Sequence, residues 1–244
     1  MRKVGRVVLV LAFAAGFVDA VGYIVLFQIF AAHMSGNTVA MCVQFSRHDW
    51  AELLRRGFPV PMFLLGTGLG AFLNLALPRL GLRWTFSFIF ALEVVLLLSF
   101  ILLGQSASIA GGDCLEFNGK YYVLLALLPI AMGLQNATIR RIGGDTVHTT
   151  YVSGLLTSLI FEIVGYFFRN YDQGRGQFTP SSVDQSSFSR IAFLSCVYTA
   201  FLAGAVLGGF AETLWALVSL LIPVCCLSIV IFFDLLRPHL EITK

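Results

Sequence analysis

The chain has 244 residues, of which 58% are hydrophobic and 12% charged, with a mean hydropathy of +0.86 and a formal net charge of +3. So little charge cannot cover a water-soluble domain of this size, whereas a bilayer asks for runs of roughly 20 apolar residues, so the composition describes an all-α polytopic membrane protein whose first partner is lipid. The sixteen basic residues sit at segment ends and give no support to a nucleic-acid partner, and the five cysteines supply neither a disulfide framework nor metal-ligand spacing.

Apolar segments are expected over about 7–29, 32–46, 57–77, 84–104, 121–139, 148–168, 190–211 and 213–236. The first opens with "MRKVGR" and "VVLVLAFAA", the basic head and A-x-A end of a signal peptide. Its apolar run continues to about Phe30, so it reads as part of the mature fold. Asp19 falls near its middle, where an ionised carboxylate in lipid costs on the order of 3 kcal/mol, so Asp19 should face the protein interior and find a partner or a proton.

The second segment is short and begins "AAHMSGNTVAM", the most polar stretch within an apolar run. The following "SRHDWAELLRRG" is expected to be an interfacial helix, with Trp50, Leu53 and Leu54 on one face and Arg47, Glu52, Arg55 and Arg56 solvated. Residues 105–120 and 169–190, rich in Gly, Ser, Asn, Gln and Asp, read as polar loops. Glu93, central in the fourth segment, and Glu162 are further intramembrane acids ranked below Asp19.

Three blocks recur in order. "GFVDA" at 16–20 matches "GLQNA" at 133–137, "AHMSGN" at 32–37 matches "TYVSGL" at 150–155, and "FLLGTGLGAF" at 63–72 matches "FLAGAVLGGF" at 201–210. The chain therefore reads as two repeats of four segments, 7–104 and 121–236. Counting basic residues by side decides the expected topology. With segment 2 crossing and the N-terminus cytoplasmic, twelve of sixteen lie inside and only Arg79, Arg83, Arg140 and Arg141 outside. Eight crossings with both termini inside follow, and four segments per half make the repeat parallel, about an axis along the membrane normal.

Gly66 and Gly70, like Gly204 and Gly208, form the G-x-x-x-G spacing that lets helix backbones approach closely in lipid, and the same logic covers Ala12, Gly16 and Ala20 and, in the other half, Gly133 and Ala137. Gly36 and Gly154 follow the matched serines Ser35 and Ser153, which read as N-caps of broken helices with free N–H groups aimed inward. His33, Asn37, Thr38, Gln135, Asn136 and Thr150 add donors and acceptors to a site where the two repeats meet. No nucleophile–base pair, phosphate loop or metal-ligand spacing appears, so neither catalysis nor a cofactor is expected.

The segments "AGFVDAVGYI", "AHMSGNTV", "GLQNATIRR" and "TTYVSG" resemble the YoaK-like family, domain of unknown function 1275, from about Ala12 to Phe233. The resemblance implies a bacterial multi-pass protein of the cytoplasmic (inner) membrane. Its motif positions fall on Gly16, Asp19, Ala20, His33, Ser35, Gly36, Asn37, Thr38, Gln135, Asn136, Ala137, Thr150, Ser153 and Gly154. Taken with the paired polar breaks, the expected function is a secondary transporter of a small polar or anionic solute, with Asp19 as the proton or cation group and self-association left open. A membrane scaffold or sensor that moves nothing is the alternative.

Overall fold

The computed structural model describes residues 2–106, 119–143, 152–174 and 183–236, and all of the regular structure in them is helical. In chain order these are α1 (Arg2–Val25), α2 (Met34–Ser46), α3 (Trp50–Gly57), α4 (Pro59–Arg79), α5 (Thr85–Ser106), α6 (Gly119–Gly143), α7 (Val152–Gly174), α8 (Val183–Trp215), a 3₁₀ turn (Ala216–Leu220) and α9 (Leu221–Leu236). Among the described residues, five stretches are long and apolar enough to cross a bilayer: Gly5–Val25, Trp50–Arg79, Thr85–Ser106, Gly119–Ile139 and Phe188–Leu236. The last, at 49 residues, is more than twice the length of one crossing, and it breaks at Ala216, whose φ is +47°. α8 and α9 lie on either side of that break.

Apolar burial alone does not drive helices together in lipid, so the contacts that order the bundle are those where backbones meet. Glycine makes them possible at two interfaces. On α1 and α8, a Cβ at Gly16 would strike the Phe201 carbonyl, one at Gly204 the Phe13 carbonyl, and one at Gly208 would come to 2.8 Å from the Phe17 carbonyl. On α4 and α6, a Cβ at Gly66 would strike the Ile130 carbonyl, one at Gly133 the Phe63 carbonyl, and one at Gly70 would come within 3.2 Å of Leu134. From Phe13–Gly204 to Phe17–Gly208, and from Gly66–Ile130 to Gly70–Leu134, partner numbers rise together, so α1 runs parallel to α8, and α4 runs parallel to α6. The Phe58–Tyr122 ring contact and the bond from Asn74 Nδ2 to Thr138 Oγ1 extend the second register to either end of α4.

The remaining contacts give the opposite sense. Tyr121, at the start of α6, donates to the Leu26 carbonyl just past α1, and Leu128 packs on Gly22, so α1 and α6 are antiparallel. Ser87 at the start of α5 donates to Asp234 near the end of α9 at 2.5 Å, and Leu217 packs on Gly104, so α5 and α9 are antiparallel too. The helices that correspond in the sequence blocks thus point in opposite directions. The parallel relation expected between the two halves does not hold.

The expected second crossing is also absent. Arg55 Nη1 on α3 donates to the Phe27 carbonyl at 3.4 Å, which sets the end of α1 and the start of the α3–α4 unit at one end of the bundle. Had the 13-residue α2 carried the chain across, α3 would lie a membrane's thickness away. Arg55 is itself buried, paired with Glu52 at 2.6 Å, rather than solvated. α7 departs from expectation in the same way: Leu155 packs against Val8 and Ala12 of α1 and Leu194 of α8, and Glu162 pairs with Arg190 at 3.0 Å. It therefore runs antiparallel to the first part of α8, away from the bundle. Helix also extends into 169–190 from both sides, to Gly174 and from Val183, where a loop was expected. The core is formed where α1, α5, α6 and α9 meet, around Phe17, Phe90, Phe100, Leu124 and Leu128, all fully buried.

Candidate functional site

α1 ends without a glycine. Gln28 N donates to the Tyr23 carbonyl at 2.8 Å, and both Phe27 and Gln28 adopt positive φ, at 56° and 64°. A bulky residue in that region costs on the order of 1 kcal/mol or more and persists only where surroundings fix it. Here they do. Arg55 holds the Phe27 carbonyl, and Asn37 grips Phe30 from both sides, its Oδ1 accepting from Phe30 N at 3.0 Å and its Nδ2 donating to Phe30 O at 2.8 Å. Leu26, Ile29, Ala31 and Ala32 are buried in the core, so residues 26–33 turn back into the protein before α2 leads out again. Non-helical backbone enclosed by protein is tolerated where its polar groups are bonded, and these ties bond the Phe27 carbonyl and both backbone groups of Phe30.

The deepest part of this turn reaches Asp19. Its Oδ1 accepts from Ala32 N at 2.8 Å and its Oδ2 pairs with His33 Nδ1. Asp19 is 5% exposed, so without these partners its carboxyl group would be buried and unbonded. His33 lies outside the spanning helices, and its hydrogen bond to Asp19 raises its proton affinity above the ordinary imidazole value, desolvation opposing and the carboxylate's charge assisting. The His33 ring meets Phe30 and Phe201 edge-on at centroid distances of 5.7 and 5.6 Å. Above the pair lies a cleft of about 460 Å³ between α1, the turn, α2 and α8, walled by Tyr23, Ile24, Phe30 and Phe201 with Ser35 at its rim. It is an apolar pocket with one ionisable pair at its foot, the usual composition of a small-molecule site.

The residues selected from sequence are distributed unequally. Gly16, Asp19, His33, Ser35 and Gly36 line the cleft. Ser35 is not a cap: α2 begins at Met34 with His33 in the N-cap position and no side-chain bond there, and Ser153 is likewise the second residue of α7. Asn37 is consumed by its grip on Phe30. Thr38 is exposed and donates to Met34 O of its own helix at 2.8 Å. Gln135, Asn136 and Ser153 lie away from the cleft, Gln135 being fully buried with its Nε2 donating to Glu93 at 3.0 Å. Gly154 stands in the first turn of α7, and Thr150 lies outside the described residues.

Several residues that matter here carried a different reading in the sequence. Phe201 and Ala205 sit within "FLAGAVLGGF", where only the glycines drew notice, yet both line the cleft. Phe30 looks like the end of an apolar run, and Arg55 like a solvated charge on an amphipathic helix. The Glu93–Gln135 bond joins two segments with no shared motif, and no local spacing could have paired them.

Comparison with known proteins gives two results. The family model described as "Protein of unknown function (DUF1275)" matches residues 7–233. The chain is 25% identical over 166 residues to the UPF0700 transmembrane protein YoaK of Bacillus subtilis (strain 168), a match covering 65% of this chain and 66%, just under two thirds, of that protein's length. No solved structure matches.

Proposed function

The chain belongs to the DUF1275 family of multi-pass membrane proteins, and from that premise we propose that it is a secondary transporter of a small polar solute, with the cleft over Asp19 and His33 as its binding site. The observation that carries this reading is the buried Asp19–His33 pair, facing an open cleft at the foot of a turn that re-enters the bundle. An ionisable pair that lines a cleft can take up and release a proton as a solute binds beside it. Ser35 supplies a hydroxyl to the solute, and the aromatic walls accommodate an apolar portion of it. His33 is the one lining residue able to carry positive charge, and Asp19 neutralises it, which favours a neutral polar solute over an anion.

The architecture we propose is an inverted repeat with six passes, α1, α4, α5, α6, α8 and α9, and one helix in each half, α2 and α7, that does not cross. Matched contacts support it: Gly204 meets Phe13 where Gly66 meets Ile130, and Gly208 meets Phe17 where Gly70 meets Leu134. Each pair is related to the other by the sequence blocks, while the corresponding helices run oppositely. Many transporters are built this way, with their sites at the repeat interface formed by interrupted helices. The cleft joins α1 and α2 of the first half to α8 of the second. Under this topology, with the N-terminus on the cytoplasmic side of a bacterial membrane, twelve of the sixteen basic residues again belong to the inner end, the other four being Arg47, Arg55, Arg56 and Lys120.

Proteoliposomes carrying a pH-sensitive dye test this reading. Under an imposed pH gradient and a panel of sugars, polyols, amino acids and amines, the parent should move protons with at least one solute, Ser35→Ala should do so more weakly, and Asp19→Asn should not. If no solute separates the parent from Asp19→Asn, the site assignment is wrong.

A further inference from the structure

Away from the cleft, the bundle holds a second polar pair. Glu93 lies in the first half of α5, fully buried, and Gln135 is fully buried on α6. Their single bond, Gln135 Nε2 to Glu93 Oε1 at 3.0 Å, leaves Glu93 Oε2 and Gln135 Oε1 buried with no partner. If Glu93 were ionised, both orphans would be acceptors and the site would lack a donor for either. An uncompensated carboxylate in such surroundings is far costlier than a neutral acid.

Among the described residues, the cations of the neighbouring helices, Arg79 near the end of α4 and Lys120 at the start of α6, form no bond to Glu93. On α9, Asp234 accepts from Ser87 at the start of α5, six residues before Glu93, and Cys225 and Cys226 are its other titratable groups. On α6, Tyr121 donates to Leu26 O; Ser219 in the 3₁₀ turn donates to Ala216 O, and Asn74 on α4 donates to Gly70 O and Thr138. Among the described residues no Lys, Arg or His contacts Glu93.

We propose that Glu93 and Gln135 form a proton-binding site at the centre of the bundle, with Glu93 held as the neutral acid and its Oε2 hydroxyl donating to Gln135 Oε1. One proton, taken from water by the carboxylate, then completes a cyclic acid–amide pair in which each side chain donates once and accepts once. Both orphaned atoms are satisfied by that one proton. The assignment stands apart from the transport reading, since it concerns what Glu93 binds whether or not a solute moves.

Infrared difference spectroscopy of the full chain in lipid tests it. Subtracting Glu93→Gln from the parent at neutral pH should leave the carbonyl stretch of a protonated carboxylic acid, and that band should persist well above the ~4.3 of an ordinary glutamate. Asp19→Asn should retain it, which separates it from the cleft. Gln135→Leu should shift it to higher frequency, because the acid then loses its amide partner. Glu93→Gln should fold, since its amide can donate to Gln135 Oε1 in place of the hydroxyl; Gln135→Leu provides the band shift should it not. A carboxylate band in place of the acid band at neutral pH, or an acid band unmoved by Gln135→Leu, would overturn the proposal.

Discussion

Replacing Gly204 by alanine adds one methyl group to the interface between α1 and α8, and the atom it meets is a backbone carbonyl, that of Phe13. Real Cβ atoms essentially never approach a neighbour closer than 3.0 Å, and the new methyl would begin well inside that limit. A side chain could rotate away, but a carbonyl in the middle of a helix cannot, so the helices must part. A gap of about 0.5–1 Å forfeits a quarter to a half of each dispersion contact along the interface. Overpacking of this kind costs about 1–3 kcal/mol, and a backbone obstacle puts Gly204→Ala at the upper end. Against that stands a gain of about 0.5–1 kcal/mol from replacing glycine within a helix. The net expectation is a loss of about 2 kcal/mol. Gly209, on the same helix, has nothing within 4 Å of its would-be Cβ, so Gly209→Ala should keep the gain and lose nothing. Reversible unfolding of both variants in detergent micelles should therefore separate them by about 3 kcal/mol. Gly66→Ala, which meets the Ile130 carbonyl, should behave like Gly204→Ala. Equal stability of Gly204→Ala and Gly209→Ala would refute the claim that close backbone contact holds this bundle.

Asn37→Ala removes both bonds to Phe30 and leaves a half-buried N–H and C=O unsatisfied, for a loss of about 1–3 kcal/mol; thermal unfolding reads this directly, and a melting point equal to the parent's would mean the other ties suffice to hold the turn. Topology can be read by impermeant-maleimide labelling of cells bearing single cysteines in a cysteine-free background. Asp49→Cys, between α2 and α3, should label from outside and Leu82→Cys, between α4 and α5, should not, whereas eight crossings require the reverse.

The helices were legible because their signal is composition over long windows, and a run such as "FSFIFALEVVLLLSFILLG" needs no context to be read as α5. The glycine stripes were legible as close-contact surfaces for the same reason: Gly66, Gly70, Gly204 and Gly208 carry the spacing in the sequence itself. What they touch was not, since G-x-x-x-G says that a backbone comes near without saying whose. Asp19 was legible as a buried acid in need of a partner, because its cost in lipid is a property of the residue. That His33 is the partner depends on the chain reversing at Phe27 and Gln28, two residues with none of the glycine or proline that marks a turn. Asn37 was misread for the complementary reason: in "HMSGNT" a polar side chain looks available, and only the fold shows both its hydrogen-bonding ends occupied by Phe30.

The charge count failed in an instructive way. Reading α2 as a crossing puts Arg47, Arg55 and Arg56 on the N-terminal side and sends Arg79, Arg83, Arg140 and Arg141 to the other. If α2 alone is withdrawn, every later loop changes side and the bias vanishes, which is why a crossing α2 looked better. If α7 is withdrawn as well, the exchange stops after α6: Arg79, Arg83, Arg140 and Arg141 return to the N-terminal side, and Arg47, Arg55, Arg56 and Lys120 replace them. Four basic residues are traded for four, so both topologies show the same twelve-to-four bias. The rule constrains α2 and α7 to behave alike without saying how. What separates the two is the antiparallel sense of α1 and α6 and of α5 and α9, which eight crossings would make parallel, together with the bond from Arg55 to the Phe27 carbonyl, which brings together the two ends of a segment that a crossing would have held apart. A shared departure of α2 and α7 is also what the proposed two-fold relation between the halves demands.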